Sequence, residues 1–163
     1  MKEVSRYVAA LQHSIEQIRS EMLPLSLRLI RDVHRGLMSD GRGSHQSPGE
    51  FRLPPPPHEM IGALDNFERF LHDQYGYTPP VIKAGLAHAQ FETIHPFLDG
   101  NGRIGRLLIN LLYVIDGVLW QPFFYLSLYL RQNRSEYYEA LQRVRKEGDW
   151  EGCCASISSA PSG

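Results

Sequence analysis

The stretch Gly102-Arg103-Ile104-Gly105-Arg106-Leu107-Leu108-Ile109-Asn110-Leu111-Leu112-Tyr113-Val114-Ile115-Asp116-Gly117 decides the fold. Leu107, Leu108, Leu111, Leu112 and Ile115 recur at helical spacing, and the segment is apolar nearly all round. A helix of that kind belongs in the middle of a domain, wrapped by others, and Asp116-Gly117 supplies its stop.

The wrapping helices can be read outward from it. Val4, Val8, Leu11, Ile15 and Ile18 mark one face of a helix over about Lys2 to Met22. Pro24 opens a second, where a missing N–H costs nothing, and Leu27, Ile30, Val33 and Leu37 carry its stripe until Gly41 and Gly43. Ser39 to Pro57 is rich in Gly, Ser and Pro and reads as a loop. Ile61, Leu64, Phe67 and Leu71 define a third helix stopped near Gly76, and Pro79-Pro80 starts a fourth that runs through Leu86 to about Ile94. Beyond the central helix come Pro122 to about Leu130 and Ser135 to about Glu147. Asp99-Gly100 and Asn101-Gly102 would suit hairpin turns, but helical periodicity lies on both sides of them. The expectation is an all-α bundle, one domain over 1–150, followed by a small, polar, aperiodic tail over 151–163 that reads as disordered.

Composition narrows the function. The 163 residues carry 17 basic and 18 acidic side chains, a formal charge of −1, and are 42% apolar. A chain of this length buries about 68–70% of its unfolded surface, enough for a core without metal or disulfide staples. Bulk electrostatic binding of nucleic acid is disfavoured, since it needs a basic excess. The two cysteines, Cys153 and Cys154, are adjacent and suit a reducing compartment. No apolar run is long enough to span a membrane, and the start, Met1-Lys2-Glu3-Val4-Ser5-Arg6, does not resemble a signal peptide. The expected location is cytoplasmic; export as an effector by a specialised secretion system is the alternative, and would leave no readable mark.

The chemistry is concentrated in His95-Pro96-Phe97-Leu98-Asp99-Gly100-Asn101-Gly102-Arg103-Ile104-Gly105-Arg106. Gly100 and Gly102 permit positive φ, so successive N–H groups can face one concavity and form an anion nest. The first turn of the following helix adds unpaired N–H groups and the positive end of its dipole, which suits phosphate. Arg103 and Arg106, three residues apart, reach the same polyphosphate. Both lie on the helix read as buried, where unpaired guanidinium groups are costly and call for an anion. Asp99 would repel phosphate unless a divalent cation lay between them, and Mg²⁺ is commonly held by one or two carboxylates plus substrate phosphates. His95, kept neutral by the arginines and the helix end, would accept a proton from an attacking hydroxyl. Taken singly, a Gly-Asn-Gly is most often a turn and a helix-end histidine a cap. Their concentration in twelve residues argues for hydroxyl attack on phosphorus.

The same stretch resembles the signature of the Fic domain family, His-x-Phe-x-Asp/Glu-Gly-Asn-Gly-Arg-x-x-Arg, at every fixed position. Weaker similarity runs from about Leu25 through Gly49-Glu50-Phe51-Arg52 and the Pro-rich segment to Arg134-Ser135-Glu136-Tyr137-Tyr138. The resemblance implies a Fic-type helical bundle that transfers AMP from ATP to a hydroxyl side chain of a target protein and releases pyrophosphate. It implies His95 as the base, Asp99 as the Mg²⁺ ligand, and Gly100, Asn101 and Gly102 as the anion hole. Arg103 and Arg106 would hold the phosphates, Phe97 would pack into the core, and Tyr137 and Tyr138 would shape the nucleoside pocket, although ordinary helix packing explains the tyrosines equally well. In the branch that phosphorylates its targets a lysine tends to follow the Asn; Gly102 stands there in this chain, which favours AMP transfer.

Three departures accompany the resemblance. A β-hairpin flap usually follows the Gly-x-Phe-Arg element, whereas Arg52 is followed at once by Leu53 and Pro54. The inhibitory Ser/Thr-x-x-x-Glu-Gly/Asn motif is found at neither end, so Arg106 would be unrestrained unless a separate, antitoxin-like protein supplied the Glu. The tail from Gly152 to Gly163 is small, polar and aperiodic after a helix ending near Gly148, as in a sequence that has lost its terminal helix. The alternative to an active transferase is therefore a truncated relative that binds nucleotide or a partner with little or no transfer.

Overall fold

The computed structural model describes residues 2–20, 24–39, 45–52, 57–72, 78–119, 132–152 and 155. Among the described residues six helices carry the fold: α1 (Lys2–Ser20), α2 (Leu27–Met38), α3 (Pro57–His72), α4 (Pro80–Ile94), α5 (Asn101–Ile115) and α6 (Arg134–Glu147). No strand occurs among the described residues, in agreement with the all-α expectation. No helix among them is long and apolar enough to cross a membrane. The expected helix over Pro122 to Leu130 and nearly all of the tail lie outside the described residues.

The central position of α5 follows from its composition. Ile104, Leu107, Leu108, Ile109, Leu111 and Leu112 are each at most 2% exposed, and α5 packs on α4, α1 and α2. Its last turn emerges, with Ile115 at 42% exposure. On α1, Leu11 and Ile15 are buried, and Val8 and Ile18 are half-buried.

Two helices differ in detail from the sequence reading. On α2 the helix begins at Leu27, three residues after Pro24, because Ser26 caps it: its side chain accepts from Leu29 N–H at 3.4 Å. The Leu27 N–H is satisfied from outside, by Glu68 Oε1 of α3 at 2.8 Å. On α3, Leu64, Phe67 and Leu71 are buried as expected, but Ile61 is 49% exposed and Met60, at 7%, completes the inner face. Steps of four, three and four residues from 60 keep to the 3.6-residue repeat, and Ile61 sits about 100° away from it.

α4 and α5 form the tightest pair and run antiparallel, Glu92 lying beside Gly102 and Gly105 and His88 beside Gly105. Ala84, Gly85, Ala87 and Ala89 are buried on α4, and their small size lets the two backbones approach. Gly105 is the point of closest approach: a Cβ there would lie 2.7 Å from Glu92 Oε1 and 2.9 Å from His88 Nδ1. Both neighbours are buried and have little room to retreat.

Gly105→Ala is therefore expected to destabilise the chain by about 1–3 kcal/mol through overpacking, against its favourable helix propensity. Gly36→Ala is the control, on the exposed face of α2 with nothing within 4 Å of the added carbon. It should stabilise by about 0.5–1 kcal/mol. Urea denaturation of the two variants gives opposite signs if the packing is as described.

Candidate active site

The site forms where α4 gives way to α5. Pro96 disfavours the helical region for the residue before it, and His95 duly leaves the helix with φ 51 and ψ 57 while its N–H still bonds to Phe91 O. A non-glycine residue in this left-handed region is uncommon and is held there by its surroundings. The hold comes from Arg52, whose Nε donates to His95 O at 2.8 Å and whose backbone N–H donates to Pro96 O at 2.8 Å.

The loop then closes on itself. Asn101 turns its side chain inward, accepting from Phe97 N–H at 2.9 Å and donating to Phe97 O at 2.7 Å. The amide is 2% exposed and Phe97 is fully buried. The expected role of Asn101 in an anion hole thus falls to its backbone, since its side chain is committed to the loop.

Gly100 has φ 82, as the nest expectation requires. Gly102 does not take a positive φ; it sits in the first turn of α5, and its need for glycine is spatial. A Cβ there would lie 3.2 Å from Arg106 Nη1, so the guanidinium folds back over the start of the helix. Gly100 O accepts from Arg103 N–H and Ile104 N–H at 3.0 Å each. The N–H groups of Asn101 and Gly102 have no carbonyl one turn back and face the mouth of the helix.

Charge is distributed around this mouth. Asp99 Oδ1 accepts from Gly100 N–H at 2.6 Å, and Oδ2 lies 3.5 Å from Arg103 Nη2. The Asp99 side chain is 43% exposed and that of Arg103 21%, so the pair adds little stability and leaves carboxylate lone pairs open to solvent. The Nε of Arg106 is buried with no hydrogen-bond partner among the described residues. Among the described residues no group of three or more His, Cys, Asp or Glu side chains could enclose a metal ion. A cation at Asp99 would draw its other oxygens from phosphate and water, which is how Mg²⁺ commonly binds.

The structure brings His95, Asp99, Gly100, Asn101, Gly102, Arg103 and Arg106 together at this one helix mouth. Tyr137 is 4% exposed on α6, its hydroxyl sharing a 2.7 Å hydrogen bond with His88 Nε2, and Tyr138 beside it is 49% exposed. Sequence reasoning passed over His34, His88 and Glu92, each buried. The available signal was a polar residue interrupting an apolar face, as His34 does between Val33 and Leu37.

Burial, reinforced by the Arg106 charge and opposed by the nearby Gly105 backbone, pushes His88 down to about 4. The unfolded chain, whose imidazole titrates near 6.5, therefore takes up the proton first as the pH falls. The contribution of His88 to stability is complete above about pH 6.5 and lost progressively toward pH 4, a change of about 3 kcal/mol. Urea denaturation at pH 7 and pH 4 should show this loss in the parent and a shallower one in His88→Gln; equal losses would contradict it.

Comparison with known proteins agrees with this geometry. Residues 24–113, more than half of the chain, match the Fic/DOC family. The protein adenylyltransferase Fic of Drosophila melanogaster is 34% identical over 142 residues, covering 79% of this chain and 26% of that protein. That of Drosophila yakuba is 33% identical over the same length. This chain thus spans about a quarter of these relatives. Among solved structures, a Fic-1 fragment from C. elegans superposes with TM-score 0.75 at 26% identity, covering 96% of this chain and 46% of that one. A Fic-domain-containing signalling protein from Bacteroides thetaiotaomicron, at 20% identity and TM-score 0.72, covers 96% and 65% and shares the fold. A helical bundle with this loop, this motif and these relatives belongs to the Fic/DOC family.

Proposed function

We propose that the chain is a nucleotidyltransferase that moves AMP from ATP to a hydroxyl side chain of a target protein. The observation that carries this reading is the first turn of α5, where the N–H groups of Asn101 and Gly102 lie beside the guanidinium of Arg106. Such an arrangement suits the phosphates of a nucleotide. The naming of its relatives as protein adenylyltransferases supports the choice of nucleotide and acceptor.

In this reading the hydroxyl oxygen attacks the α-phosphorus, the bond to the bridging oxygen of the β-phosphate breaks, and pyrophosphate leaves. His95 takes the hydroxyl proton. Arg52, holding His95 by its carbonyl, fixes the backbone that carries that ring. Arg103 and Arg106 hold the phosphates and stabilise the charge that builds on them. Asp99 would hold Mg²⁺, which supplies further neutralisation of phosphate charge. Gly102 stands where the phosphorylating branch tends to carry a lysine, which supports AMP transfer over phosphate transfer.

A second reading, a nucleotide- or partner-binding relative without efficient transfer, is favoured by one feature. Residues 45–52 contain turns and no strand, and Arg52 precedes α3 by only four residues, leaving little chain for a hairpin that would align a target. Positioning is worth up to about 7–11 kcal/mol in well-oriented systems, so such a loss would be felt. A separate inhibitory chain offering a carboxylate to Arg106 belongs to either reading.

Incubation with ATP labelled at the α- or γ-phosphate, Mg²⁺ and cell lysate separates them. Label from the α-position on protein is the expected result; γ-label indicates a kinase, and binding without label indicates the second reading. His95→Ala should abolish transfer with ATP affinity nearly intact, whereas Arg106→Ala should weaken ATP binding about tenfold or more, as removal of a charge-assisted bond does. Transfer by His95→Ala at the parent rate rules that residue out as the base.

A further inference from the structure

We propose that His34 of α2 is a positioning residue: its ring fixes the Asp99–Gly100 peptide, and with it the start of α5, against the segment that carries Gly49. The consequence for nucleotide seating rests on the transfer reading above; the positioning itself does not.

The two ring nitrogens of His34 have different partners. Gly49 N–H donates to His34 Nδ1 at 2.8 Å, so that nitrogen carries no proton. A neutral imidazole then has its proton on Nε2, which lies 2.9 Å from Asp99 O and donates to it. Only this one of the ring's three protonation states satisfies both contacts.

Packing fixes the ring as firmly as hydrogen bonding. His34 is fully buried and stacks on Phe97 with centroids 3.7 Å apart and planes 2° from parallel. Gly100 rests directly on it: a Cβ at that position would lie 3.1 Å from His34 Nε2 and 3.0 Å from Met38 Sδ. Phe97 is the residue whose backbone Asn101 clamps, so one imidazole supports the motif loop from beneath at both ends.

The Asp99–Gly100 peptide matters because the peptide that follows it, Gly100–Asn101, carries the carbonyl that accepts from both Arg103 N–H and Ile104 N–H. Turning that peptide would turn the first turn of α5, whose open N–H groups are proposed to meet phosphate. On the other side, Arg31 Nε donates to Gly49 O at 2.8 Å, so α2 grips Gly49 by both its N–H and its carbonyl. His34 thus joins the Gly49–Arg52 segment to the anion-binding end of the loop, while Arg52 joins it to the His95 end.

Amide hydrogen exchange on the full chain, without nucleotide, tests this. His34→Phe keeps the ring stack and loses both hydrogen bonds. The expected result is a loss of protection of about tenfold or more at Gly49, Arg103 and Ile104 together, with Leu108 and Leu112 at parent values. Loss at Gly49 alone, or a uniform loss along α5 as a merely structural role would give, overturns the proposal. Nitrogen NMR of the imidazole in the parent needs no variant: it should report Nδ1 bare and Nε2 protonated at neutral pH, and the opposite tautomer or a doubly protonated ring overturns it. Calorimetry of the parent with ATP and Mg²⁺ is read separately. Absence of binding there removes the transfer reading and leaves the exchange result to decide on His34.

Discussion

The side chain of Asn101 and the backbone of Phe97 exchange two hydrogen bonds, 2.9 and 2.7 Å long, in a place closed to water. An amide is suited to this because it offers one donor and one acceptor a fixed distance apart, as a neighbouring peptide would. Buried as it is, the pair has no solvent to fall back on, and breaking it leaves two backbone groups unsatisfied at about 1–3 kcal/mol each. Everything chemical hangs on the four-residue loop it closes. Leu98 is turned out to solvent, Asp99 and Gly100 are set at the mouth of α5, and the helix starts on an open turn of N–H groups.

Around that clamp the chain builds two supports. Behind it, α4 and α5 pack through small residues, and Gly105 allows Glu92 and His88 to lie against α5 beside Arg106. Beneath it, α2 presents His34 and Met38 to Gly100, and the Gly49–Arg52 segment ties to His95 and Pro96. Phe51 packs on Phe97 with centroids 5.1 Å apart and lies beneath the Arg31 guanidinium. The site is thus an opening of charge and open N–H groups set on a rigid frame, the arrangement that electrostatic catalysis needs.

Much of this was legible in the residues. The apolar run from Ile104 to Leu112 announces a buried helix, and a twelve-residue motif marks its start as the candidate site. What could not be read was how residues far apart in sequence satisfy one another. Periodicity places Val33 and Leu37 inside but is silent on a histidine between them that bridges Gly49 and Asp99. Glycine spacing suggests two positive φ values, whereas Gly102 sits in the helix and lies against the Arg106 guanidinium. Pro24 looks like a helix start until Ser26 and Glu68 supply the partners that decide the boundary. Ile61 looks like a core residue until the 3.6-residue repeat is carried back to Met60.

The central claim is that the loop closed by Asn101 seats the phosphates of a nucleotide on the first turn of α5. A crystal structure of the chain with a non-hydrolysable ATP analogue and Mg²⁺ tests it directly. The account predicts phosphate oxygens about 2.9 Å from the N–H groups of Asn101 and Gly102, with Arg106 on the phosphates and the Asn101 side chain still bonded to Phe97. A nucleotide bound elsewhere on the bundle, or one that binds only after Asn101 swings away from Phe97, would contradict it.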